Sequence, residues 1–415
     1  MPRAETESGR DGDPSARAGR FRDAAVMARV PERLLTPDFV FTTLANFANA
    51  FGMQMLVATL PVYVIRLGGS QTEAGLVSGA VAFTALLFRP FVGWLTDAWR
   101  RRPLLLIGIG GYALASVVYL AAGSIPVLAL GRVVHGFGVS CYTTAANAYV
   151  TDIAPLGRRA EAIGLFSAAQ AVGLIVGPVV GFMIVESIGF RQLFYFSGGL
   201  AFAAFVISLF ARERRQPGDT PPRPWSPRTG IVAVEALPVA WTALCMGMGF
   251  GTVNAFIAIF AQARGIENPG FYFMVQAIAL LVARAVAGRV ADTYGRRIVI
   301  VPGLVLMAAA LSLLPLARGF GSFVISASLF GLGFGTAQPA TMALLVDRVR
   351  PEQRGLATST YFTGFDAGIS MGSLLLGVVG EHWGFGVMWP LAAACTLSGI
   401  AGLAADRNRT RGTAQ

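Results

Sequence analysis

Apolar residues run through this chain in long blocks, separated by short polar stretches. Twelve blocks fall at roughly 38–65, 73–95, 103–123, 126–150, 160–185, 192–211, 233–262, 271–290, 298–316, 321–345, 355–379 and 385–404. A helix rises about 1.5 Å per residue, so blocks of about 20 residues are long enough to cross a bilayer. None alternates apolar with polar residues, as strands of a membrane barrel do. The pattern predicts an all-α membrane protein of twelve transmembrane helices.

The polar stretches carry a second regularity. "GWLTDAWRRRP", starting at Gly93, and "GRVADTYGRRI", starting at Gly288, each close an apolar block, and they lie 195 residues apart (288 − 93 = 195). At the same offset Arg89 matches Arg284, Asp97 matches Asp292, Arg101 matches Arg296, and Asp152 matches Asp347. Gly136 and Gly138 match Gly331 and Gly333, and Gly173 and Gly177 match Gly368 and Gly372. A repeat this long is a duplicated domain, since solenoid units repeat every 20–50 residues or so. Six helices per copy is an even number, so both copies enter from the same side. The expected architecture is two six-helix bundles related by a parallel pseudo-two-fold repeat, with a binding site between them near mid-membrane. The expected domains are an N-terminal tail at 1–36, a first bundle at 37–211, a linker at 212–232, a second bundle at 233–405 and a short tail at 406–415.

Composition agrees with a membrane chain, with 54% hydrophobic and only 13% charged residues, against about 25% charged in soluble domains. All 33 basic residues are Arg. Without Lys the chain cannot build a standard phosphate-binding P-loop. The net charge of +11 could suggest nucleic acid, but the arginines cluster in alternate loops. They lie in residues 1–36, at 100–102, at 158–159, along the linker, at 296–297, at 348–354 and after 406. The loops between these hold one Arg or none. By the positive-inside rule both termini and the linker are cytoplasmic, and the charge reports topology instead of nucleic-acid binding. Cys141, Cys245 and Cys395 fall inside helices as packing residues. His135 and His382 stand apart from each other, so no metal site is expected.

Three motifs carry a family resemblance. Gly-x-x-x-Asp-x-x-Gly-Arg-Arg is seen well at 288–297 and imperfectly at 93–102, where Arg100 replaces the second Gly. "GRVVHGFG" (131–138) lies in helix 4, and "GLIVGPVVG" (173–181) in helix 5. With the duplication, these make residues 37–405 resemble the major facilitator superfamily of secondary transporters. The helix 5 motif, carried by Gly173, Gly177, Pro178 and Gly181, is similar to that of the twelve-helix drug:proton antiporters, with Phe182 in place of a further Gly. The resemblance implies alternating access, a cavity lined by helices 1, 4, 7 and 10, and contacts at the loop motif that lock the outward-open state. Its gating residues here are Asp97, Arg101, Asp152, Asp292, Arg296 and Asp347. The plainer reading of those residues is a set of surface ion pairs, each contributing about 0–1 kcal/mol.

Charges inside the apolar blocks are the sharpest candidates. Arg132 lies within helix 4 and its mate is Ala327; Asp366 lies within helix 11 and its mate is Ala171. A charge at mid-helix costs at least about 2.5 kcal/mol to insert, so it faces the bundle or a cavity. Asymmetry of this kind is expected of a functional site on a symmetric scaffold. Asp366 and Arg132 are therefore the candidates for proton coupling, against a structural hydrogen bond for Asp366 and a helix anchor for Arg132. Arg89 and Arg284 match each other near helix ends, where a long side chain is expected to snorkel. Ser70 and Glu73 form a capping box before helix 2. Asn46, Asn49, Gln54, Thr143, Asn147, Asn254 and Gln338 are the expected polar lining of the cavity, amid much Phe and Met.

These residues favour a proton-coupled exporter of small amphipathic or lipophilic compounds in a bacterial cytoplasmic membrane, acting as a monomer. The proton gradient is the energy source, and no cofactor is expected. A carrier of a sugar, metabolite or metal chelator remains open, as does a transport-inactive receptor or scaffold. No nucleophile–base or metal-ligand cluster suggests an enzyme.

Overall fold

The computed structural model describes residues 34–98, 101–155, 158–212, 233–350 and 354–412. These residues form twelve long helices and no strand. The first half holds α1 (Pro37–Arg66), α2 (Gln71–Ala98), α3 (Arg101–Leu120), α4 (Ile125–Ile153), α5 (Arg159–Ser187) and α6 (Phe190–Leu209). The second holds α7 (Leu237–Ala263), α8 (Gly270–Tyr294), α9 (Arg296–Leu313), α10 (Phe320–Arg348), α11 (Arg354–Trp383) and α12 (Phe385–Gly412). All twelve are long and apolar enough to span a bilayer, so the chain is a multi-pass membrane protein. The tail at 1–33 and the linker at 213–232 lie outside the described residues, and α12 continues past 405 into the expected C-terminal tail.

Helix boundaries follow local chemistry. Thr36 caps α1 by accepting from the Phe39 N–H at 3.3 Å, with Pro37 at the first helical position. The box before α2 is formed: Ser70 N–H donates to Glu73 Oε2 at 2.8 Å, and Glu73 N–H to Ser70 Oγ at 3.2 Å. Between α8 and α9 the chain turns through Gly295 at φ +98°. L-residues with a Cβ rarely adopt that region, which explains the glycine of the second loop motif.

Within each half, helices approach so closely that glycine is required at the contact. A methyl group built on Gly136 of α4 would lie 2.5 Å from the Val81 carbonyl of α2; its mate Gly331 meets the Gln276 carbonyl, and Gln276 is the mate of Val81. Gly138 abuts the Gly108 carbonyl, and Gly333 abuts that of Gly303, again an offset pair. The same rule joins the halves. Gly75 of α2 faces the Ser373 carbonyl of α11, while Gly270 of α8 faces the Pro178 carbonyl of α5. Those positions are mates as well (270 − 75 = 195; 373 − 178 = 195). The two interfaces thus share one antiparallel register, as a pseudo-two-fold demands. They are tightest away from the linker, where Thr72 N–H also donates to Glu381 Oε2 at 3.0 Å and Asn268 Nδ2 to the Val179 carbonyl at 3.3 Å.

Candidate functional site

Between the halves lies a cavity of about 370 Å³, walled by α1, α2, α4, α5, α7, α8, α10 and α11. Its lining is mainly apolar: Met53, Val57, Leu174, Phe273, Leu280 and Ile369 contribute, with Phe250 and Phe334 stacked at 4.8 Å between ring centroids. The volume and the apolar walls suit a small organic molecule.

Four charged side chains reach this wall: Arg89, Arg132, Arg284 and Asp366. Asp366 is 7% exposed, and its Oδ2 lies 2.8 Å from Nη2 of Arg89. That pair joins α2 to α11 and so bridges the halves. The Arg89 guanidinium also lies over Phe362, 5.4 Å from the ring centroid. The expectation that Arg89 and Arg284 snorkel is therefore corrected: both face the cavity. Apolar periodicity locates a helix face, but lipid and the opposite half look alike to it. The clue lay in the register, because α2 and α11 run antiparallel with Gly75 against Ser373, which puts Arg89 about two turns along α2 from the level of Asp366 and within the span of its long side chain.

Arg132 is 4% exposed. Its Nε donates to the Val77 carbonyl at 3.0 Å and its Nη2 to the Ser78 carbonyl at 3.3 Å, both on α2. The guanidinium beside Asp366 belongs to Arg89 and not to Arg132. Behind Arg132, Tyr119 and His135 form a buried hydrogen bond of 3.1 Å. Arg284 Nη2 donates to Gln338 Oε1 at 3.1 Å.

Of the expected polar lining, Gln54 and Asn254 are on the wall. Asn46 instead ties the first half together, donating to the Phe166 carbonyl at 3.0 Å and accepting from Tyr142 Oη at 3.1 Å. Asn49 is buried inside the same half, beside a recess of about 10 Å³ that Tyr112, Ser116 and His135 share. Thr143 and Asn147 turn back on α4, donating to the Val139 and Thr143 carbonyls at 2.8 and 2.7 Å. Gln338 reaches the site through Arg284. Short polar side chains often bond their own helix in this way, which sequence spacing does not reveal. Ser78, Gln170, Gln276 and Ser373 complete the wall and were missed. Gln276 is buried, and its Oε1 has no hydrogen-bond partner among the described residues.

The helix 5 motif packs on α1. A methyl group at Gly173 would fall 2.8 Å from the Phe51 nitrogen, at Gly177 2.9 Å from the Gln54 Cβ, and at Gly181 3.0 Å from the Met55 carbonyl oxygen. Pro178 lies on the cavity wall and at the Gly270 contact, so α5 touches α1, α8 and the site together. At the linker end Arg101 pairs with Asp152, while Arg296 pairs with Asp292 and, at 3.2 Å, with Asp347. Each cluster lies within one half. The side chain of Asp97 lies outside the described residues.

The family model described as "Major Facilitator Superfamily" matches residues 42–280 and 268–413. The chain belongs to the major facilitator superfamily. An uncharacterised MFS-type transporter of Methanocaldococcus jannaschii is 22% identical over 364 residues, 84% of this chain and 93% of that protein. The quinolone resistance protein NorA of Staphylococcus aureus is 29% identical over 163 residues, 39% of this chain and 42% of NorA. The fold is similar to that of the nucleoside transporter NupG, with a TM-score of 0.77 at 13% identity, covering 88% of this chain and 99% of that one. A POT family transporter solved with a conjugated peptide gives 0.75 at 12% identity, covering 89% and 96%. This superfamily is one of transporters, and its members move small molecules across membranes.

Proposed function

We propose that this chain is a proton-coupled exporter of small amphipathic or lipophilic compounds, working by alternating access. The observation that carries the reading is the Arg89–Asp366 pair, an ionisable bridge between the halves on the cavity wall. When Asp366 is ionised, Arg89 holds it, and α2 is tied to α11. Protonation removes the negative charge and with it the electrostatic tie, so proton binding and the packing of the halves are linked. A protein moves between two conformations only as far as a ligand favours one of them. Here the proton supplies that preference.

The arginine pattern puts the linker in the cytoplasm. The tight contacts at Gly75 and Gly270 then close the cavity on the outer side. Arg101–Asp152 and Arg296–Asp347 each brace two helices of one half at the cytoplasmic end; formed while the outer side is closed, they support rigid movement of each half more than a lock on the outward-open state. The apolar cavity and the partial similarity to a quinolone resistance protein both support export of organic compounds.

The test uses inside-out vesicles containing the full chain, with the fluorescent lipophilic cation ethidium and the organic anion 1-naphthaleneacetate as probes. An imposed pH gradient, acid inside, is expected to drive uptake of at least one probe, and collapse of the gradient with nigericin is expected to stop it. Uptake of neither probe above protein-free vesicles, or uptake that survives collapse, would overturn the reading.

A further inference from the structure

The pseudo-two-fold relates α2 against α11 to α8 against α5, and the closest approach of each interface follows it. Gly75 against Ser373 becomes Gly270 against Pro178. Under the same operation Arg89 becomes Arg284, and Asp366 becomes Ala171 (366 − 195 = 171). One interface therefore holds an arginine with its carboxylate, and the other holds the arginine alone. Among the described residues, Arg284 meets no carboxylate; its partner is the neutral amide of Gln338. Of the other two cavity arginines, Arg89 pairs with Asp366, and Arg132 is pinned by Nε and Nη2 to two carbonyls of α2, with its buried Nη1 left without a partner among the described residues. The wall carries three cations against one anion, and the surplus falls on Arg284 and Arg132, of which Arg132 is 4% exposed and held against α2.

A guanidinium facing an apolar cavity gains most from an anion that can accept two of its parallel N–H groups. We propose that Arg284 binds the carboxylate of an amphipathic monoanionic substrate, which takes the place against Arg284 that Asp366 takes against Arg89. The remainder of the ligand is defined by the same wall. Gln276, Leu280 and Arg284 form one stripe of α8, with the partnerless Gln276 Oε1 about 12 Å along the helix from Arg284. That oxygen accepts from an N–H or O–H at the ligand's far end. The Phe250–Phe334 stack covers an apolar body between the two polar ends. A carboxylate against Arg284 gains a charge-assisted pair that a neutral group cannot supply, so neutral compounds bind more weakly.

This assignment rests on the cavity being the transport site, and equilibrium binding separates it from proton coupling. Full-length protein in lipid nanodiscs is titrated with 1-naphthaleneacetate and with its neutral isostere 1-naphthaleneacetamide. The wild type is expected to bind the acid at least tenfold more tightly than the amide. Arg284→Gln is expected to lower affinity for the acid at least tenfold and to leave the amide unchanged, with Arg284→Lys recovering part of the loss. Ala171→Asp supplies the missing acid from α5 and is expected to abolish the preference with Arg284 still in place. Retained amide binding shows that each variant is folded. Equal affinity for the two probes, undetectable binding of the acid, or an Arg284→Gln protein that keeps the preference would each overturn the assignment. Loss of pH-driven transport with the acid preference intact would count against proton coupling alone.

Discussion

Breaking the Arg89–Asp366 pair should change the balance between the two conformations of the transporter by a measurable amount. At 2.8 Å and an effective dielectric of about 20, the gross attraction is about 6 kcal/mol. Desolvation offsets much of it, and removing one partner of a buried pair costs about 3–5 kcal/mol. Arg89 keeps 22% of its side-chain surface exposed, which places the coupling energy near the lower figure or below it, at about 2 kcal/mol. Because the pair spans α2 and α11, that energy belongs to the state in which these helices are apposed. Arg89→Gln or Asp366→Asn should therefore shift the population ratio about 30-fold towards the opposite state, since about 1.4 kcal/mol is tenfold. Spin labels at Phe210→Cys and Tyr294→Cys, exposed positions in opposite halves, would report the shift as a changed distance distribution. The background would have Cys141, Cys245 and Cys395 replaced by Ala. In the double variant the two shifts should fall short of additivity by the coupling energy. Additive shifts, or a coupling below about 0.5 kcal/mol, would refute the bridge.

Arg101→Asp and Asp152→Arg should each slow turnover, and the double reversal should recover part of the loss because the two side chains pair across α3 and α4; turnover rates in proteoliposomes check this. Gly136→Val should lower thermal stability in detergent, because even its first carbon would meet the Val81 carbonyl at 2.5 Å, and overpacking costs about 1–3 kcal/mol; an unchanged unfolding temperature would contradict the close approach. Arg132→Ala leaves the Val77 and Ser78 carbonyls without their buried donor, so coupled transport should stop, while Arg132→Lys should retain part of it if charge outweighs the planar fork.

The twelve spans and the duplication were legible because both are encoded in linear pattern: block length fixes the helices, and a constant offset fixes the pairing. Asp366 and Arg132 stood out because a charge has no reason to sit inside an apolar block other than a partner or a cavity. Their partners were not legible. Arg89 resembled a snorkelling residue until α2 was seen to lie against α11, because facing depends on which helices abut. Thr143 and Asn147 share a helix with Arg132, yet their side chains turn back to α4 carbonyls. Gln276 carries no motif at all, and only the fold aims its amide into the cavity. The arginine pair itself held the recoverable signal: two matched cations, one acid without a matching acid, and an alanine where the second acid would be.

The central claim is that a proton on Asp366 drives transport, and Asp366→Asn in proteoliposomes tests it most directly. Asn approximates a protonated carboxyl in shape and cannot release a proton to become charged. The variant should bind substrate and exchange it down a concentration gradient, measured with the probe that the wild type transports, but fail to accumulate it when a pH gradient is imposed. Accumulation by the Asn variant at the wild-type rate would show that the driving proton is carried elsewhere.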